Sequence, residues 1–133
     1  HLYALAALPT DDPRRLEALL ELSRFGPGPA VNAIATGVLG SVRPVTPEAL
    51  EELRAVLTGP PTGRLQAAVL ACLRLGSLAW PLLDDLLAVA EQGRPLDYPW
   101  LAPMALLEVA PDDPRVRAAA EPWPELLEMD EGP

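Results

Sequence analysis

The sequence predicts an all-α fold in the form of a right-handed α-solenoid, a stack of helical hairpins with a period of about 34 residues. Four prolines open apolar segments at intervals of 34, 34 and 33 residues: Pro13, Pro47, Pro81 and Pro114. A cluster of glycine and proline divides each of these intervals in two. The apolar residues are mostly Leu, Ala and Val, whereas a β-sheet would need more aromatic and β-branched side chains.

The first predicted hairpin covers residues 12–42. Asp12 is a favourable N-cap, and Pro13 suits the first helical turn because proline has no N–H that would be left unpaired there. Leucines then recur at helical spacing up to the breaker cluster 26–29, which separates the first helix from the second. Gly40 stands where the second helix should end.

Two more hairpins are predicted, over residues 46–76 and 77–110. The first of these repeats the pattern, with Thr46 as its N-cap and Gly76 at its end. The hairpin 77–110 departs from this pattern, because Trp80 stands where the earlier hairpins carry a capping residue.

For the third hairpin we therefore expect Ser77 to cap the first helix. The leucine pattern of that helix indicates a rotation about its axis, which would turn Asp84 and Asp85 towards water.

The whole chain, 1–133, is predicted to be one repeat domain. Residues 1–9 resemble the second helix of an otherwise absent repeat, and residues 112–133 are predicted to form a C-terminal cap. A half repeat would leave an apolar edge open, which favours a homodimer through the N-terminal half repeat.

Charge and composition exclude several classes of function. The net charge is −9 and the cations are ten scattered arginines, so neither nucleic acid nor an anionic membrane is an expected partner. No apolar run approaches the ~20 residues that cross a bilayer, and no signal peptide is recognised, so a soluble, cytoplasmic protein is expected. The preference for Arg, Leu, Ala and Pro is typical of a GC-rich bacterial genome.

Residues 112–120 read Asp-Asp-Pro-Arg-Val-Arg-Ala-Ala-Ala, and residues 11–18 are a looser copy. The first stretch resembles the Asp-Pro-x-Val-Arg-x-x-Ala start of a bacterial HEAT-like, armadillo-type helical repeat. The Trp, Gly-Tyr and Phe pattern of tetratricopeptide repeats is absent. The resemblance implies a scaffold or partner-binding surface, although HEAT-like relatives also include chromophore lyases and DNA-repair glycosylases.

The residues that could act in catalysis, a cysteine and several paired carboxylates, are each explained by a role in the fold. Cys72 takes an apolar position of the repeat and is expected to be a buried hydrophobe. Among the pairs of adjacent carboxylates, two begin helices and two are expected on exposed helix surfaces: Asp11/Asp12 and Asp112/Asp113, then Glu51/Glu52 and Asp84/Asp85. We expect no catalytic residue, no cofactor and no metal site.

The arginines allow two interpretations. Four of them could gather on one side of the stack and grip a carboxylate ligand: Arg14, Arg15, Arg54 and Arg64. Alternatively they form local pairs such as Glu51–Arg54, each worth a few tenths of a kcal/mol, and this interpretation is favoured.

Aromatic side chains are the strongest candidates for recognition. Tyr98 and Trp100 begin the second helix of the third hairpin, where the earlier hairpins carry mostly polar residues. Exposed Trp and Tyr are enriched at interaction hot spots, although they could equally fill gaps between hairpins. The predicted partner-binding set is Trp80, Asp84, Arg94, Tyr98, Trp100 and Trp123.

The expected function is that of a scaffold module that binds another protein on one face of the repeat. The alternative is a regulatory or ligand-binding subunit, or an enzyme of the HEAT-like lyase type. In that case Asp84, Arg94 and Trp100 would line a pocket.

Overall fold

A computed structural model describes residues 12–60, 62–93 and 96–130. Helices and short connections make up these three stretches, and no strand occurs within them. The all-α prediction is therefore confirmed. The predicted half repeat 1–9 and Arg94 lie outside the described residues.

The first hairpin consists of α1 (Pro13–Phe25) and α2 (Pro29–Val38), followed by a 3-10 turn, Leu39–Ser41. The predicted cap is confirmed, because the Asp12 carboxylate accepts a hydrogen bond from the backbone N–H of Arg14 at 2.9 Å. The Arg14 guanidinium also donates to Asp12, which lowers the pKa of that carboxyl and keeps the cap ionised.

The second hairpin consists of α3 (Pro47–Thr58) and α4 (Gly63–Leu75). The Thr46 hydroxyl caps α3 by accepting from the backbone N–H of Ala49 at 3.2 Å, as predicted. α4 is followed by Gly76, whose φ of 58° lies in the left-handed region that favours glycine.

The third hairpin consists of a 3-10 segment, Gly76–Leu82, then α5 (Leu83–Glu91) and α6 (Leu101–Val109). The prediction that Ser77 caps a helix is wrong, since α5 begins at Leu83 without a side-chain cap. Ala79 and Leu82 are fully buried, and this burial holds the 3-10 segment against the core.

Two short helices complete the described chain, α7 (Pro114–Ala120) and α8 (Pro124–Asp130). The Asp113 carboxylate caps α7 by accepting from the backbone N–H of Arg115 at 2.8 Å, as the sequence predicts.

The helices of consecutive hairpins pack side by side. α4 lies between α2 and α6, while α1, α3, α5 and α7 contact one another in chain order. These two rows of helices face each other, and leucines from both rows fill the core between the rows. Five of these leucines are fully buried: Leu19, Leu53, Leu65, Leu86 and Leu106.

The expectation that no segment is long and apolar enough to cross a bilayer needs correction. The 3-10 segment joins α4 to α5, so that residues 63–91 form a helical run of 29 residues, long and apolar enough by length and composition to cross a membrane. Half of its apolar window is buried inside the fold, and the backbone turns at Gly76. The buried core helices of soluble proteins can be as long and as apolar, so length and composition alone do not make this run a membrane span.

Candidate functional site

A buried polar cluster joins the first four helices. Its centre is Glu52 on α3, which is only 4% exposed. One oxygen, Oε2, accepts hydrogen bonds from the Ser23 hydroxyl and from Arg64 Nη2, both at 2.8 Å. The other oxygen, Oε1, accepts from Arg24 Nε at 2.9 Å. The Ser23 hydroxyl lies 2.6 Å from that of Thr36 on α2, so the four helices share one hydrogen-bonded network.

The burial of Glu52 corrects the expectation that Glu51 and Glu52 both lie on an exposed helix surface. Glu51 does face solvent and pairs with Arg54 at 2.7 Å. Glu52 instead follows Ala49 by three residues and precedes Val56 by four, which places it on the inward stripe of α3. A carboxylate can be buried there because three donors compensate for the water it loses. The stripe spacing is the sequence signal that could have identified it.

The four arginines considered above do not gather around one site. Arg14 pairs with Asp12 at 2.8 Å, and Arg64 belongs to the polar cluster. Arg54 makes the predicted pair with Glu51 and a second ion pair with Asp85 of α5 at 3.1 Å. The favoured interpretation, local pairing, is confirmed for Glu51–Arg54.

Arg15 is the exception. It is 7% exposed, and its Nη2 donates to the Ser41 hydroxyl at 3.2 Å. Its Nε and Nη1 are buried and have no hydrogen-bond acceptor among the residues that the structure describes.

A cavity of about 320 Å³ adjoins the polar cluster at the N-terminal ends of α2 and α4. Arg64 belongs to both, since its guanidinium reaches Glu52 and its side chain also lines the cavity. The remaining lining residues are Pro29, Asn32, Ala55, Val56, Gly59, Pro60, Thr62 and Gly63. No feature of the sequence indicated this cavity, because its walls come from two different hairpins: α2 of the first, and α3, α4 and the loop between them of the second.

Tyr98 and Trp100 form an exposed aromatic pair ahead of α6. Their ring centroids lie 5.3 Å apart, and the side chains are 52% and 37% exposed. The loop that carries them is fixed to α4, because the Gln66 amide oxygen accepts from the backbone N–H of Asp97 at 2.7 Å. The Gln66 amide nitrogen also donates to the Asp97 carboxylate, at 3.4 Å.

The other members of the predicted partner-binding set lie elsewhere. Trp80, 68% exposed, belongs to the 3-10 segment before α5, at the opposite end of the third hairpin from the aromatic pair. Asp84 is exposed and pairs with Arg115 of α7 at 3.1 Å. Trp123 is half-buried against the core. The described structure therefore brings together Tyr98 and Trp100 only.

A shallow apolar groove runs between α2 and α4, with a volume of about 320 Å³. Ile34, half exposed, and Leu70 contribute apolar surface to it. Gln66 lies on its border and connects it to the loop of the aromatic pair.

Cys72 is fully buried, as predicted. Loss of water raises the pKa of its thiol to about 12, so the reactive thiolate is disfavoured. Among the residues that the structure describes, no group of three or more His, Cys, Asp or Glu side chains could hold a metal ion.

No protein-family model, curated protein or solved structure matches the chain. The HEAT-like resemblance therefore remains a prediction that rests on the period and on residues 112–120.

Proposed function

We propose that this chain is part of a HEAT-like α-solenoid and binds another protein, with the aromatic pair Tyr98–Trp100 as the anchor. Two features support the solenoid: the period of about 34 residues, and the side-by-side packing of α2, α4 and α6. A stack of this kind offers long grooved faces to a partner.

The exposed aromatic pair is the observation that carries the proposal. Trp and Tyr contribute more than most residues to the free energy of association, because each buries a large surface on binding. The hydrogen bonds between Gln66 and Asp97 hold the loop in place, so binding would order few additional residues. An exposed pair of aromatic rings is a typical docking anchor.

Charge indicates the kind of partner. The chain carries a net charge of −9, which would steer a basic surface towards it and repel an acidic one. We expect association to slow as the salt concentration rises, because screening weakens this steering.

Comparative capture tests the proposal. The wild-type chain and a Tyr98→Ser/Trp100→Ser variant would be immobilised and exposed to extract from the source cell, with bound proteins quantified by mass spectrometry. Trp80→Ser is the matched control, since it removes a more exposed tryptophan at the other end of the hairpin.

The expected result is a partner that binds the wild type and the Trp80 variant but is reduced at least tenfold with the double variant. A measured affinity of that partner for the purified chain would follow. Identical capture by all three proteins would exclude the aromatic pair as the anchor.

A further inference from the structure

The two junctions between consecutive hairpins differ at one repeat position. Gln66 on α4 and Asn32 on α2 are 34 residues apart and occupy the same place in the repeat. At the junction of the second and third hairpins, Gln66 reaches the loop before α6 and binds the backbone N–H of Asp97. At the junction of the first and second hairpins, the Asn32 amide oxygen has no donor among the described residues, and the cavity lies there instead.

Among the described residues that line the cavity, Arg64 is the one that carries a charge. It shares the carboxylate of Glu52 with Arg24, so this cluster holds two guanidinium groups for one carboxylate. Arg64 Nε and Nη2 donate within the polar cluster, whereas Nη1 has no acceptor among the described side chains and is not buried. Arg64 therefore has donors to offer to a ligand in the cavity.

The rest of the lining narrows the class of ligand. Ala55, Val56 and Pro60 present apolar surface, and Gly63 is the first residue of α4, whose helix dipole is positive at this end. A volume of about 320 Å³ is at the small end of the range for ligand sites.

We propose that this cavity binds a carboxylate attached to a short apolar group, with the carboxylate at Arg64 and the apolar part against Val56 and Pro60. This site is separate from the aromatic pair and does not depend on the proposed protein partner. A free short-chain carboxylic acid and the C-terminal residue of a polypeptide both carry this chemistry.

Two glycines provide a matched pair of variants. A Cβ atom added at Gly63, which lines the cavity, would have no heavy atom within 4 Å, and the same is true at Gly28, which does not line it. Gly63 also lines the groove between α2 and α4, whereas Gly28 lines neither. Gly63→Leu should obstruct the cavity without disturbing the polar cluster, and Gly28→Leu is its control.

Thermal unfolding and titration calorimetry at constant ionic strength, with sodium chloride as the reference salt, test the site. The probes are isovalerate, N-acetylvaline and the uncharged isovaleramide. At tenfold excess over Kd, isovalerate or N-acetylvaline should raise the Tm by about 4 °C, while isovaleramide should leave it unchanged. Gly63→Leu should weaken binding at least tenfold, and Gly28→Leu should not.

The relative affinities of the two acids distinguish the sources. Tighter binding of N-acetylvaline assigns the site to a polypeptide C-terminus, and tighter binding of isovalerate assigns it to a free acid. The proposal is overturned if neither acid binds, if isovaleramide binds as well as isovalerate, or if Gly63→Leu binds the acids like the wild type.

Discussion

Glu52 connects four helices through one side chain. Its carboxylate accepts from residues of α1 and α4, and the Ser23 hydroxyl extends the network to Thr36 on α2. A buried carboxylate stabilises a fold only while its donors are present, and the donors depend on the carboxylate in the same way. The cluster is therefore more sensitive to the loss of one member than a surface ion pair of similar length.

Substitution of Glu52 tests this dependence. Glu52→Ala leaves two guanidinium groups without their carboxylate and should lower the free energy of unfolding by about 3 kcal/mol, measured by urea denaturation. Glu51→Ala, on the same helix but exposed, is the control and should change it by less than about 0.5 kcal/mol. Equal effects of the two substitutions would show that the cluster contributes nothing beyond a surface pair.

Cys72 makes stability depend on pH in the alkaline range. Burial raises the pKa of its thiol from 9.0 to about 12, so the folded state retains a proton that the unfolded state releases. This contribution to stability is complete below pH 9 and is lost as the pH rises from 9 towards 12. Between these limits the free energy of unfolding should fall more steeply than in Cys72→Ala, by about 1.4 kcal/mol per pH unit. Parallel pH profiles of the two proteins would contradict the raised pKa.

At the scale of helices, local signals were sufficient to predict where α1, α3 and α7 begin. Each of these helices begins at a proline directly after a capping side chain, so its start is determined without contacts to distant parts of the chain. The start of α5 could not be predicted in this way, because it depends on the burial of Ala79 and Leu82 against other helices. The cavity beside Arg64 was missed for the same reason, since its walls come from two hairpins.

Close packing of helices depends on Gly40 in the turn after α2. A Cβ atom at this position would lie 2.6 Å from the backbone oxygen of Ala71 and 2.7 Å from its Cα. The obstacle is the backbone of α4, which cannot move aside like a flexible side chain.

Gly40→Ala should therefore lower the free energy of unfolding by about 2 to 3 kcal/mol, although alanine normally favours helical backbone. Gly28→Ala is the control, because its added Cβ would have no heavy atom within 4 Å. The free energies of unfolding of the two variants can be measured by thermal or urea unfolding. If Gly40→Ala left the free energy of unfolding unchanged, the backbone of α4 would have to lie further from Gly40 than it does in the structure.

For the whole molecule, the hairpins can unfold either as a linear stack or as one cooperative core, and the two cases differ in how stability is distributed along the chain. In a linear stack each unit is stabilised by its immediate neighbours, so protection against unfolding is greatest in the middle and declines towards the ends. α4 has a neighbouring helix on each side, α2 and α6, whereas the main contacts of α8 within the described chain are with α6 and α7.

Native-state hydrogen exchange distinguishes these two cases. A linear stack predicts the slowest exchange for backbone amides in α4, around the fully buried Ala68 and Cys72, and progressively faster exchange through α7 to α8. A single cooperative core would instead give similar free energies of exchange for the buried amides of α1, α4 and α6. A gradient along the chain would support the α-solenoid that the 34-residue period predicts, because in a linear stack each hairpin is stabilised by its immediate neighbours.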